Sequence, residues 1–103
     1  MKLRDPKTFE PIFNKDGVTG RSLTKGDNFE IIFMTLEPGA DLKPHTTPFD
    51  AEFFIHKGNA VYVIGGKEIK ASEETIISCP GNIEHGIRND TDEELIVLVI
   101  KKL

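Results

Sequence analysis

Pro38-Gly39-Ala40-Asp41-Leu42-Lys43-Pro44-His45-Thr46-Thr47-Pro48-Phe49-Asp50-Ala51-Glu52-Phe53-Phe54-Ile55-His56-Lys57-Gly58 is the stretch on which the fold is decided. A second, Pro80-Gly81-Asn82-Ile83-Glu84-His85-Gly86-Ile87-Arg88-Asn89, answers it further along the chain. Each opens on a Pro–Gly pair, in which proline fixes φ at one residue and the next can turn left-handed. Around them the chain keeps one rhythm of short β-prone runs: Val18 to Leu23, Phe29 to Leu36, Phe53 to His56, Ala60 to Ile64, Glu68 to Lys70, Thr75 to Cys79, His85 to Arg88 and Leu95 to Lys101. The runs are rich in Ile, Val and Phe, carry no internal proline, and are separated by Gly, Pro, Asn and Asp. Gly65-Gly66 fits a two-residue hairpin between the Ala60 and Glu68 runs. Eight such strands predict a sandwich or barrel, because an open sheet would leave edges and one face uncovered. A helical turn at Ser72-Glu73-Glu74 is the only one conceivable, and its length argues against it. Residues 1–17 read as an irregular arm with a short strand around Glu10 to Phe13, and residues 18–103 as one barrel domain.

The two stretches together resemble the paired signature motifs of the cupin superfamily. The first family motif runs Gly, five residues, His-x-His, three or four residues, Glu, six residues, Gly. The second runs Gly, five residues, Pro-x-Gly, two residues, His, three residues, Asn. Gly39, His45 and Gly58 match the first, and Pro80, His85 and Asn89 match the second. The resemblance covers residues 29 to 100 and implies an all-β, single-domain fold, a double-stranded β-helix or jelly-roll barrel of the RmlC-like kind. Both motifs would then face one cavity.

The departures from the motifs bear on chemistry. Many cupins hold a metal with both motif-one histidines, the motif-one Glu and the motif-two His. Here Thr47 stands at the second His position, and Ala51 at the Glu position counted back from Gly58. Asn82 replaces a motif-two glycine, a mild change because Asn tolerates left-handed φ. Glu74 replaces the opening glycine of that motif. The expected metal ligands are His45 and His85, with Asp50 as the candidate third. Glu52 is the alternative third ligand if a bulge intervenes, because strand alternation puts Ala51, Phe53 and Ile55 on one face and Glu52, Phe54 and His56 on the other. The metal would be a divalent transition ion, Fe, Mn, Ni or Zn, since imidazole suits all of these. Without a third ligand the pair would line a wet pocket. Thr47, Asn89 and Tyr62 are the expected pocket residues: Asn89 shares the inward face with His85 and Ile87, and Tyr62 sits on a central strand. Arg88 alternates outward, and His56 is expected at the surface or in a dimer interface.

Composition narrows the partners. Thirteen basic against seventeen acidic residues give a net charge of −4, which gains nothing from the counterion release that drives nucleic-acid binding. No run approaches a membrane span. One cysteine, Cys79, excludes an internal disulfide and suits the cytoplasm; no basic neighbour activates it, so it reads as core. Apolar residues on both faces of Phe53-Phe54-Ile55 and of Leu95 to Ile100 point to burial on both sides and hence to a homodimer. Three functions suit this pattern: a barrel binding a small polar molecule with or without metal, a metal-dependent dioxygenase, decarboxylase or isomerase, and a non-catalytic dimeric barrel.

Overall fold

The computed structural model describes residues 1–103. Ten strands follow in chain order: β1 (Phe13–Lys15), β2 (Val18–Lys25), β3 (Phe29–Leu36), β4 (Asp41–His45), β5 (Asp50–Lys57), β6 (Ala60–Ile64), β7 (Lys67–Ala71), β8 (Ile76–Cys79), β9 (His85–Arg88) and β10 (Leu95–Lys102). Six build the larger antiparallel sheet, in the order β1-β2-β3-β10-β5-β8, and four the smaller, in the order β4-β9-β6-β7. This is the jelly-roll barrel expected from the motifs. Its core lies between the sheets, where Leu36, Ile55, Leu95 and Val97 have no exposed surface. Burying a side chain of this size stabilises by about 1.5–3 kcal/mol.

Alternation decides which residues reach that core. On β10, Val97 pairs with Met34 and Val99 with Ile32, and all four side chains are buried. The intervening residues Ile96, Leu98 and Ile100 face outward with Ile31, Phe33 and Phe54, so the outer face of the larger sheet is itself apolar. Ile76, at its edge, is 59% exposed. The hairpin at Gly65-Gly66 forms as expected, with φ of 56° and 81°, the left-handed values that glycine adopts most readily.

Two elements differ from the sequence reading. β4 is not among the runs read from the sequence; it accommodates Pro44 because it is the edge of the smaller sheet, where a missing N–H breaks no ladder. The first strand sits at Phe13–Lys15, slightly later than expected, and pairs with β2. A single 3₁₀ turn spans Pro6–Thr8, with the Asp5 carboxylate accepting from the Lys7 N–H. No helix forms at Ser72–Glu74, where Glu74 instead takes φ of 64°.

Candidate functional site: a histidine pair in an apolar cavity

The ladder between β4 and β9 sets His45 directly opposite His85, after an irregularity between Leu42 and His45. The imidazole centroids are 4.6 Å apart, with their planes inclined by 50°. His85 is buried and tilts against Phe53, 5.8 Å away, while His45 lies exposed at the rim. Both rings are held in the same way. Nδ1 of His45 faces the Lys43 carbonyl at 3.3 Å, and Nδ1 of His85 faces the Ile83 carbonyl at 3.0 Å. A carbonyl can only accept, so in these contacts Nδ1 is the donor, and Nε2 is the nitrogen not engaged by the backbone. Gly86 makes this approach of strands attainable. A Cβ there would sit 2.7 Å from the Leu42 carbonyl oxygen and 2.8 Å from the Pro44 nitrogen.

The pair lines a cavity of about 120 Å³ between the sheets. Ile32, Met34, Phe53 and Val99 form the wall from the larger sheet, and Leu42, Tyr62 and Ile87 the wall from the smaller. Phe13, Thr47, Phe49, Ala51, Gly86 and Lys101 complete it. Ten of the fifteen lining residues are hydrophobic and none is acidic, so the site is more apolar than a receptor for a polar ligand was expected to be. A second pocket beside Asn59, Lys70 and Asp90 holds more volume, but it is more open to solvent and contains neither histidine.

The other expected site residues divide. Thr47 and Tyr62 line the cavity. The Tyr62 ring stacks on Phe53 at 5.3 Å. Its hydroxyl is buried without a partner, and burial first, with the nearby Cys79 second, holds the phenol far above its ordinary range. Asp50 does not join the histidines: its Oδ1 accepts from the Gly81 N–H at 2.8 Å and ties the middle of the first motif to the start of the second. Asn89 is outside the cavity too. It is fully buried, with Nδ2 donating to the Leu36 and Glu93 carbonyls at 3.0 and 2.7 Å and Oδ1 accepting from the Thr91 N–H and hydroxyl. The inward alternation from His85 and Ile87 stops at Arg88, where β9 ends, and Asn89 turns into the loop.

Glu52 lies on the outer face, with Oε1 accepting from the Ser78 hydroxyl at 2.7 Å. Arg88 also points out, between Glu68 at 2.6 Å and Asp90 at 2.9 Å; hydrogen bonding to Arg88 lowers the Glu68 carboxyl below its usual range. His56 is exposed. Cys79 is buried, and desolvation, then Asp50, pushes its thiol up, which keeps it protonated and unreactive. Lys101 was missed as a site residue. The signal was present, because Leu95, Val97, Val99 and Lys101 share one period-two face of a single strand.

The family model described as Cupin domain (Cupin_2) matches residues 32–101. The chain belongs to the cupin family. This cupin is 30% identical over 90 residues to H2HPP isomerase of Bacillus subtilis, a match covering 85% of the chain and 37% of the relative; it therefore spans little more than a third of that protein's length. An RmlC-like cupin from Shewanella frigidimarina superposes with a TM-score of 0.86 at 13% identity, covering 99% of this chain and 90% of that one. The polyketide cyclase RemF from Streptomyces resistomycificus gives 0.85 at 18% identity, covering 99% and 79%. At such identities these two share the fold with this cupin.

Cupins often bind metals, and the imidazole orientation here would suit one, since metal-bound histidines commonly donate their second ring nitrogen to a carbonyl. The number of donors does not. No group of three or more His, Cys, Asp or Glu side chains suited to a metal ion is gathered in the chain. Thr47 offers a neutral hydroxyl where the family has imidazole, Ala51 offers a methyl where it has carboxylate, and Asp50 is committed to Gly81. Two imidazoles fall short of the three or four protein ligands of a stable transition-metal site.

Proposed function

We propose that this cupin binds a small organic molecule whose apolar body enters the barrel and whose polar end rests at the histidine pair. The observation that carries this is the pairing of two oriented imidazoles with an otherwise apolar cavity. Such a combination of greasy walls and a few convergent polar groups is the usual form of a small-molecule site. The volume suits an apolar body of about six non-hydrogen atoms, a single ring. Two Nε2 lone pairs favour a guest that presents a hydroxyl, an acid or another donor to them. A homodimer across the outer face of the larger sheet belongs to the same proposal, supported by the half-buried Ile31, Phe54, Leu98 and Ile100 and the exposed Ile76 that this face leaves accessible.

The chain supplies a direct reporter. Its two methionines are Met1, which is fully exposed, and Met34, which lines the cavity. Titrating ¹³C-methyl-methionine protein with ring-sized acids, alcohols and amides should shift the Met34 signal saturably and leave Met1 unmoved. His85→Ala should weaken that response. A panel that moves neither methyl, or binding that survives unchanged in His85→Ala, would overturn the reading. For the dimer, light scattering of wild type and Leu98→Lys should give two chains and one, respectively.

A second reading, an isomerase that relays a proton between the two imidazoles, is supported by both rings lining the same cavity with their centroids 4.6 Å apart. Solvent deuterium appearing in a bound carbonyl compound, and not in the His85→Ala protein, would support it; no exchange with any guest that moves Met34 would end it.

A further inference from the structure

We infer that Lys101 makes the cavity selective for anions, so that the guest is a small carboxylate with a ring-sized apolar body; this rests on the cavity being the binding site. β10 pairs Lys101 with Glu30 on one side and Ala51 on the other. Its side chain therefore leaves the inward face that carries Val97 and Val99, and it lines the cavity with only 27% of its surface exposed. The ammonium lies 5.3 Å over the ring of Phe49, an arrangement that holds a cation in place without using its hydrogens.

Those hydrogens are not consumed by the neighbouring carboxylate. Glu30 Oε1 lies 3.9 Å from the ammonium, beyond hydrogen-bond reach, and Glu30 Oε2 accepts from the Ser22 hydroxyl at 2.7 Å. A half-buried cation with free donors thus stands on the lining of a cavity that has no acidic residue. Glu30 balances this charge from beside the cavity, while the lining itself carries the cation and no anion. An ammonium in such partly desolvated surroundings attracts a carboxylate more strongly than it would in water. The apolar walls below it take the rest of the molecule, while the imidazole Nε2 atoms meet a hydroxyl of the guest.

The test compares benzoate with benzamide, near-identical in shape and different in charge, each titrated against the Met34 methyl. Wild type should bind benzoate at least tenfold more tightly than benzamide. Lys101→Met should remove most of that difference by weakening benzoate alone, and Lys101→Arg should restore it; the thermal midpoint of each variant confirms that it is folded. Equal affinity for the two probes in wild type, or an undiminished preference in Lys101→Met, would overturn the role of Lys101 while leaving the cavity as the binding site. If neither probe moves the Met34 methyl at any soluble concentration, both this inference and the cavity reading fall.

Discussion

Replacing Asn89 separates a structural role from a binding role, and its cost can be worked out from the bonds it makes. The side chain is fully buried and joins three segments: the end of β3 through the Leu36 carbonyl, the approach to β10 through the Glu93 carbonyl, and its own loop through Thr91. In Asn89→Ala the Leu36 carbonyl, in a residue with no exposed surface, loses this donor, whereas the groups on Glu93 and Thr91 can recruit water. A buried polar group left unpaired costs about 1–3 kcal/mol, and each exchanged bond about 1 kcal/mol. The total comes to about 3–5 kcal/mol. For a domain of this length that lowers the thermal midpoint by roughly 12 °C or more. Asn89→Asp should be worse than Ala despite its closer shape, because it sets an acceptor against carbonyl acceptors. Urea unfolding followed by circular dichroism would rank the three proteins, and the Met34 methyl titration on the folded variants should show unchanged cavity affinity. A loss below about 1 kcal/mol, an order with Asp above Ala, or intact stability with lost binding would refute the reasoning and return Asn89 to the pocket.

Further tests bear on the cavity. Tyr62 is the only tyrosine, so phenolate absorbance reports it alone. Below roughly pH 10 the phenol is protonated in both folded and unfolded chains and contributes no slope; above it the unfolded chain ionises while burial keeps the folded one protonated, so stability should fall by about 1.4 kcal/mol per pH unit. Tyr62→Phe should lack that slope in urea midpoints measured from pH 8 to 11, and should cost nothing at pH 7 because the hydroxyl has no partner. Gly86→Ala places a methyl against the β4 backbone and must push His45 away; a loss of about 1–3 kcal/mol in urea, with weakened Met34 response, is expected. Thr47→His adds a third imidazole to the lining, and calorimetric titration with Zn²⁺ should show at least tenfold tighter binding than wild type. An unchanged affinity would show that position 47 does not converge with the pair.

Period-two alternation made the fold legible wherever a strand was flanked by the core. β3, β6 and β9 have the expected bounds, and the facing of Ala51, Phe53 and Ile55 is the observed one. Alternation says nothing about strand ends. It carried Asn89 one residue past β9, where the chain turns, and it could not show that Asp50 would accept from Gly81 across the two motifs. β4 was hidden because a short, polar, proline-containing edge strand has no apolar signature. Lys101 is the opposite case: a charged side chain gives no apolar signal, although its place on β10 in step with Val97 and Val99 puts it on the lining. The motif spacing, in turn, named two residues that the fold makes direct neighbours, His45 and His85.

That both histidines belong to one sheet has a mechanical consequence. Their separation is set by the backbone ladder between β4 and β9, while Met34, Phe53, Val99 and Lys101 arrive from the opposite sheet. If the two layers part slightly to admit a bulkier guest, the depth of the chamber and the reach of the ammonium change, but the spacing of the imidazoles does not. Affinity for different ring sizes can therefore drift through core substitutions on β3 or β10 without retuning the pair, and a family of such barrels could diversify its guests by altering one layer alone.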